Sequence, residues 1–145
     1  MKSYFEVGVR YDKTMDHGVI RKVTENYLLD AISFAEAEKR ATEEVGAYTI
    51  GEFRVVTEKI TNITEVLTTN DTTADKFYKV KHNFITFDEK SGKEKKQAQC
   101  IIIQASDVDD ARERYRELVK DWDSDVILEA VSETKLVDYF PYKSE

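Results

Sequence analysis

The chain has 145 residues, one cysteine and a formal net charge of −7, with 35% charged and 41% hydrophobic residues. Its length suffices to bury a sizeable core, the single cysteine excludes an intrachain disulfide scaffold, and the acidic balance argues against a polyanionic partner. The start MKSYFEVGV lacks the apolar run of a signal peptide, and no stretch approaches the roughly 20 apolar residues of a membrane span, so we expect a cytoplasmic protein without membrane contact.

The first half of the chain predicts a helix with two strands before it and two strands after it. Phe5, Val7, Val9 and Tyr11 alternate with polar residues, which is typical of a strand with one buried face. The S-x-x-E pattern at Ser33 marks a helix start, and apolar residues at helical spacing follow it. The predicted elements are strands 3–11 and 19–29 joined by a polar connection 12–18, a helix 34–45, and strands 51–59 and 63–67.

The second half predicts the same order of elements after a polar segment. Residues 68–75 contain no large apolar side chain, so we interpret them as a linker. Tyr78, Val80, His82 and Phe84 then repeat the alternation of the first strand. The apolar face of the second helix consists of Val108, Ala111, Tyr115, Leu118, Val119 and Trp122. The predicted elements are a strand around 78–84, a turn 88–92, a strand 94–104, a helix from 108, and strands 126–131 and 136–140.

The two halves correspond at a constant offset. Phe5 corresponds to Tyr78, and Ile63 corresponds to Leu136, in each case 73 positions apart. One copy could not cover both faces of its own sheet and helix. We therefore expect an α+β fold of tandem duplicated β-β-α-β-β units, packed as one pseudo-twofold domain with antiparallel sheet and two helices. The first repeat spans 1–69, the linker 70–75 and the second repeat 76–145.

No pattern in the sequence indicates catalysis or metal binding. His82 has no second ligand at a suitable spacing, so we interpret it as a satisfied or partly exposed histidine. Cys100 has no identifiable His or Asn partner and is interpreted as a buried small hydrophobe. Asp121, Asp123 and Asp125 resemble the opening of a calcium loop, but the glycine that such a loop needs is missing. With no phosphate loop and no paired Cys-x-x-Cys, we expect a protein that is not an enzyme and has no cofactor.

A basic hairpin is the strongest functional feature of the sequence. Residues 76–96 hold seven lysines against three acids, whereas residues 107–145 hold six basic against twelve acidic residues. Such lysines can track a phosphate backbone while Phe77, Tyr78 or Phe87 offers a stacking surface. The alternatives are an ordinary solvated face and lysines that discourage edge-to-edge sheet pairing. The candidate nucleic-acid-binding residues are Lys79, Lys81, Lys93, Lys95 and Lys96.

The C-terminal stretch DYFPYKSE is a second candidate surface. Phe140, Pro141 and Tyr142 form either a packing anchor or an apolar contact for a partner. The anchor is the favoured interpretation.

Several stretches of the chain carry a resemblance to a known family. They are KTMDHGVIRKVTENYLLDAISFAEAE, GEF, NFITFDEKSGKEKK, QASDVDDA and SETKLVDYFPY. In that order they resemble small uncharacterised proteins of gut Bacteroidetes and of their phages and mobile elements, the family called domain of unknown function 4494. The resemblance implies an intracellular or phage-encoded stand-alone protein. It supplies no activity, cofactor or functional residue.

These observations lead to one main functional hypothesis and two alternatives. The main hypothesis is a non-enzymatic intracellular binding or interaction protein, a phage or mobile-element accessory factor that binds a protein partner or a second copy of itself. The first alternative is nucleic-acid binding through the hairpin 76–96. The second is binding of a small anionic ligand, such as a nucleotide, in a groove between the two repeats.

Overall fold

The computed structural model describes residues 2–49 and 51–142. In these residues two helices and two four-stranded, mostly antiparallel sheets form an α+β fold, which confirms the predicted class. The chain divides into two compact units: unit 1 comprises Met1–Thr61 and Lys135–Glu145, and unit 2 comprises Asn62–Thr134. The elements are β1 (Ser3–Thr14), β2 (Ile20–Ala31), α1 (Phe34–Gly46), β3 (Phe53–Ile60), β4 (Ile63–Leu67), β5 (Lys76–Phe87), β6 (Glu94–Ala105), α2 (Val108–Val119), β7 (Val126–Glu133) and β8 (Leu136–Phe140).

Unit 1 packs α1 against one face of the sheet β3-β1-β2-β8. Alternation along β1 places Val7 and Val9 on that face, and Ala37 and Ala41 of α1 recur at helical spacing, so the two apolar surfaces meet. Full burial of each valine stabilises the unit by about 1.5–3 kcal/mol. The buried cluster consists of Phe5, Val7, Val9, Leu29, Ala31, Ala37, Ala41, Val45 and Phe140.

Unit 2 repeats this construction with α2 against the sheet β4-β6-β5-β7. Val80 of β5 and Ile101 of β6 lie directly opposite each other on the helix-facing side. The buried cluster consists of Tyr78, Val80, Ile101, Ile103, Ala105, Ala111 and Tyr115. Both helices begin as their sequences predict, because the side chain of Ser33 accepts the N–H of Glu36 at 3.1 Å and that of Asp107 accepts the N–H of Asp110 at 2.7 Å.

Each sheet contains one strand from the other half of the sequence. β8 runs parallel to β2 with Phe140 opposite Leu29, and β4 runs parallel to β6 with Leu67 opposite Ile103. The compact units therefore divide the chain between Thr61 and Asn62 and again between Thr134 and Lys135. The repeat boundaries 1–69 and 76–145 concern copies of a sequence pattern and stay a prediction.

The hairpins β1–β2 and β5–β6 extend past the ends of β3 and β7 as two-stranded ribbons. In unit 1, β3 pairs with β1 only over residues 5–11, while β1 itself extends to Thr14 and turns back through a 3-10 turn at Asp16–Gly18. The predicted polar connection 12–18 was therefore too long, because exposed residues on both faces of a ribbon hide the strand period. In unit 2, β7 pairs with β5 only as far as Phe84.

Residues 68–75 pack onto unit 2 as a loop. The side-chain amide of Gln104 donates to the carbonyl of Ala74 at 2.8 Å, and its oxygen accepts the N–H of Thr69 at 3.2 Å. Ala74 is buried, and Asp71 pairs with Arg114 of α2 at 3.1 Å. Side-chain hydrogen bonds of this kind leave no apolar pattern, which is why the segment resembles a linker in the sequence.

Candidate binding sites

A groove of about 740 Å³ lies in unit 1, where β3 begins beside β1. Gly51 has φ +101°, a conformation that residues with a side chain rarely adopt, and it leads the chain from the α1 side into β3. Phe53, the first residue of β3, packs against the core of unit 1 and gives this wall a fixed position. The groove is therefore built on regular secondary structure rather than on a long loop.

The charged lining of the groove has an uncommon arrangement. Arg10 of β1 and Arg54 of β3 lie directly opposite each other in the antiparallel register, so their side chains leave the same face of the sheet. Neither guanidinium forms an ion pair with a carboxylate anywhere in the described chain. The remaining charged lining residues are Lys22, Asp12 and Glu52, which gives three cations and two carboxylates.

Two arginines in direct opposition cost stability in a free sheet. Like charges on directly opposite strand positions destabilise the pair, and neither arginine has a carboxylate within ion-pair distance in the described residues. An anion between the two guanidinium groups would offset the repulsion and accept several charge-assisted hydrogen bonds. Tyr11 and Phe53, the next opposite pair, also line the groove, as does Thr42 of α1. Their side chains leave the face of the sheet that packs on α1, opposite to the face of the two arginines, and the Tyr11 hydroxyl donates to the carboxylate of Glu25. Burial raises the pKa of Glu25.

Sequence reasoning did not find this groove. The sequence shows Arg10 in the outward phase of β1, which is the ordinary place for a charged residue. The pairing of Arg10 with Arg54 depends on a register shift between Gly8 and Val9, where the β1–β3 ladder is interrupted. A bulge of this kind has no sequence signature here, so the register could not be predicted.

The structure divides the five candidate lysines of the hairpin into three groups. Lys79 and Lys81 alternate along β5 on the face away from α2, and Lys96 of β6 joins them because it lies opposite Ile85. Lys95 leaves the other face, and Lys93 lies in the connection before β6. A single continuous surface of five lysines is therefore absent from the hairpin.

Nearby acids, two on β7 and one in the turn of the hairpin, offset part of this positive charge. Lys81 lies 3.5 Å from Glu129 of β7, Lys76 lies 3.7 Å from Glu133 of the same strand, and Lys95 lies 3.9 Å from Asp88. A hydrogen bond from Asn83 and the positive charges of Lys81 and Lys96 lower the pKa of Glu129. The charge contrast seen along the sequence is thus partly neutralised within unit 2.

The aromatic residues of the hairpin are mostly inaccessible. Phe77 is 5% exposed and Tyr78 is 2% exposed, so neither offers a face for stacking. Phe87 is 68% exposed and shares the face of Lys96, because it is two positions from Ile85 along β5. The expectation that Phe77 or Tyr78 stacks on a base is wrong, because these neighbours leave opposite faces of β5 and both are buried.

The C-terminal segment is held by α1 of unit 1. Arg40 donates to the carbonyl oxygens of Phe140 at 3.2 Å and Pro141 at 3.0 Å, and it pairs with the Asp30 carboxylate at 3.5 Å. Phe140 is buried and its ring stacks on that of Tyr27 with centroids 5.2 Å apart. The Tyr142 ring is 37% exposed and lies 4.0 Å from the Lys2 ammonium group. Within this segment Phe140 has no surface left for a partner.

His82 and Cys100 are both buried. Cys100 is a free thiol, as the sequence predicts. His82 is fully buried rather than partly exposed, its Nδ1 lies 2.9 Å from the Tyr115 hydroxyl, and its Nε2 has no hydrogen-bond partner. Among residues 2–49 and 51–142, no three His, Cys, Asp or Glu side chains are grouped closely enough to hold a metal ion. No helix in the same residues is long and apolar enough to cross a membrane.

Comparison with known proteins gives one match. A family model described as Domain of unknown function (DUF4494) matches residues 3–142, which is nearly the whole chain. No curated protein and no solved structure matches the chain.

Proposed function

Because this chain belongs to the Domain of unknown function (DUF4494) family, whose description names no activity, we propose its function from geometry: it is a non-enzymatic binding protein that holds a small anionic ligand in the groove of unit 1. The observation that carries this proposal is the direct opposition of Arg10 and Arg54 at the groove without a carboxylate partner in the described residues. The alternative of a ligand groove between the two repeats stays a prediction.

The dimensions and donors of the groove suit a ligand of nucleotide size. Small-molecule sites commonly enclose about 300–1,000 Å³, and the groove falls within that range. Guanidinium groups bind phosphate and carboxylate in a bidentate manner, and two opposite groups can hold one anion from both sides. A phosphate or carboxylate group of the ligand therefore lies at the arginine pair.

The acids of the groove limit the length of the ligand. Asp12 and Glu52 line the groove together with the arginines and repel a second anionic group that extends toward them. Carboxylates accept hydrogen bonds from neutral hydroxyl groups, such as those of a sugar. A mononucleotide or a small organic acid meets both conditions, whereas a long polyanion does not.

A thermal-shift series tests the proposal. The wild-type protein is heated with inorganic phosphate, a mononucleotide or a dicarboxylate at low and moderate salt, since a ligand of the native state raises the melting temperature by mass action. Arg10→Gln and Arg54→Gln should abolish the shift. Lys13→Gln is the matched control, because Lys13 is an exposed cation of the same strand that does not line the groove. Equal shifts in all three variants would reject the proposal.

A second candidate function, nucleic-acid binding, rests on Lys79, Lys81, Lys96 and the exposed Phe87, which share one face of the β5–β6 hairpin. Lys96→Glu should weaken the binding of a single-stranded oligonucleotide and reduce its salt dependence. Lys95→Glu is the matched control because this neighbour leaves the opposite face. Equal effects of the two substitutions would show that the oligonucleotide does not bind to one face of the hairpin. Binding that does not change with salt would reject the nucleic-acid-binding function.

We also propose that the two halves are tandem copies of one ancestral unit. The elements that start at Ser3, Phe53 and Ile63 have counterparts 73 positions later, at Lys76, Val126 and Leu136. The second strand and the helix of each half are 74 positions apart. Spacing that is constant to within one residue across five elements supports duplication. A family member that contains a single half and assembles as a dimer would agree with it.

A further inference from the structure

His82 occupies an unusual position in unit 2. It is fully inaccessible to solvent and is the one buried polar or charged side chain in the described residues. Its Nδ1 lies 2.9 Å from the hydroxyl of Tyr115 on α2, while its buried Nε2 has no hydrogen-bond partner. Buried polar atoms are nearly always paired, so an unpaired nitrogen in a native core calls for an explanation.

Aromatic rings enclose the imidazole. The ring centroid of His82 lies 5.2 Å from that of Phe84, 5.4 Å from that of Tyr115 and 5.9 Å from that of Trp122. The rings of Phe84 and Trp122 are parallel within 3° at 5.9 Å. Trp122 follows α2 and donates its backbone N–H to Val119 at 3.0 Å. The imidazole therefore contacts both α2 and the segment that follows it.

No charge compensates this site. The residues opposite His82 on the neighbouring strands are Gln99 of β6 and Leu128 of β7, and neither can be ionised. Tyr115 is the titratable group that α2 presents to the ring, and burial raises the pKa of its hydroxyl, which keeps it neutral. Asp121 and Asp123 flank Trp122 in the sequence but are exposed to solvent. An imidazolium ion here would have no counter-charge.

The hydrogen bond to Tyr115 engages only one of the two ring nitrogens. The neutral imidazole can make this bond in either tautomer, because the Tyr115 hydroxyl can donate to Nδ1 or accept from it. The imidazolium ion carries an N–H on both nitrogens, so its Nε2–H would lie in this pocket without an acceptor.

We propose that His82 is an acid-sensitive switch in unit 2, in which protonation of the imidazole opens the contact that α2 and Trp122 make with the sheet. The driving force is hydration of the imidazolium, which requires water to reach the ring. Because the sheet of unit 2 is held by its own strand pairs, the opening is local to the helix side. Unit 1 has the buried, non-ionisable Val9 at the corresponding position.

The direction of the pH effect follows from burial. Desolvation lowers the pKa of His82 below 6.5, its ordinary value. The closed state therefore binds fewer protons than the open state. The closed state is fully favoured above about pH 6.5 and loses stability as the pH falls from 6.5 toward the lowered pKa. Within that window the opening constant rises by up to about tenfold per pH unit, as a single proton requires.

The single tryptophan of the chain makes this measurable. Acrylamide quenching of Trp122 is recorded from pH 7.5 to 5.0 for the wild type, His82→Phe and His17→Asn. His17 is the other histidine of the chain, exposed at φ 67°, a conformation that asparagine tolerates, so His17→Asn is the matched control. Quenching should increase as the pH falls in the wild type and in His17→Asn, and should stay constant in His82→Phe.

Two outcomes overturn the proposal. One is an equal increase in quenching in His82→Phe. The other is an imidazole NMR titration of the wild-type protein in which the buried ring titrates at or above pH 6.5. The NMR titration needs no variant, so the proposal stays testable even if His82→Phe does not fold.

Discussion

Arg10 and Arg54 lie directly opposite each other on β1 and β3, and neither forms an ion pair with a carboxylate in the described part of the chain. We therefore predict that Arg54→Gln stabilises the ligand-free protein by about 0.2–1 kcal/mol, contrary to the usual effect of substitution. Urea unfolding measures the change. Lys59→Gln is the control, because Lys59 lies opposite Glu6, and its loss should have the opposite sign. Destabilisation by Arg54→Gln would mean that the arginine pair is not under strain.

Arg40 joins α1 to β2 through the carbonyl and carboxylate oxygens of Asp30, and to the C-terminal segment through the carbonyl oxygens of Phe140 and Pro141. Arg40→Ala should destabilise unit 1 by about 2–3 kcal/mol, because several hydrogen bonds to a charged donor are lost together. Lys39→Ala removes an exposed neighbour on the same helix and should change the free energy of unfolding by less than about 0.5 kcal/mol. If both variants unfold at the same urea concentration, Arg40 does not anchor the C-terminal segment.

Gly8 is closely surrounded by side chains of both neighbouring strands. A Cβ atom at this position would lie 2.3 Å from the Thr57 hydroxyl oxygen and 3.2 Å from the Asn26 amide oxygen. Gly8→Ala should cost about 1–3 kcal/mol through overpacking. Thr57→Ala should recover part of that cost in the double variant. Gly46→Ala is the contrasting case, because its Cβ would be 3.4 Å from the Phe53 ring. Similar losses of stability in the two glycine variants would contradict this reading.

Tyr115 and His82 should behave as one unit. Tyr115→Phe leaves the buried Nδ1 of His82 without its hydrogen-bond partner and should cost about 1–3 kcal/mol. Once His82→Phe has removed the imidazole, the second substitution should cost much less. A double-mutant cycle by urea unfolding measures this coupling. Strictly additive effects would show that the hydrogen bond does not contribute to stability.

The elements with a clear hydrophobic period were predicted well. The bounds of β4 and β8 match the expected 63–67 and 136–140, and α1 starts at the residue expected from its capping pattern. The exchange of β4 and β8 between the two sheets was not predicted, because a parallel edge strand joins its partner through tertiary contacts that leave no local pattern. The alternation predicted β1 as far as residue 11, but the last part of the strand, up to Thr14, is polar on both faces and shows no alternation.

The candidate sites were harder to predict. The lysines of the hairpin are visible as a cluster in the sequence, but the period of two along a strand sends Lys95 and Lys96 to opposite faces. Phe77 leaves the face of β5 away from α2. The sequence indicated only one buried face of this strand, so the burial of Phe77 could not be predicted. The Arg10–Arg54 pair depends on a bulged register, which no single stretch of sequence contains.

Ligand binding at the arginine pair is tested most directly by isothermal titration of the purified protein with a mononucleotide, inorganic phosphate and a dicarboxylate at low salt. We predict that the wild type and Lys13→Gln bind at least one of these ligands, more weakly as salt rises. We also predict that the double variant of Arg10→Gln and Arg54→Gln binds at least tenfold more weakly, the loss of about 1.4 kcal/mol or more expected for charge-assisted hydrogen bonds. Unchanged affinity in the double variant, or no binding of any of the three by the wild type, would contradict binding at the arginine pair.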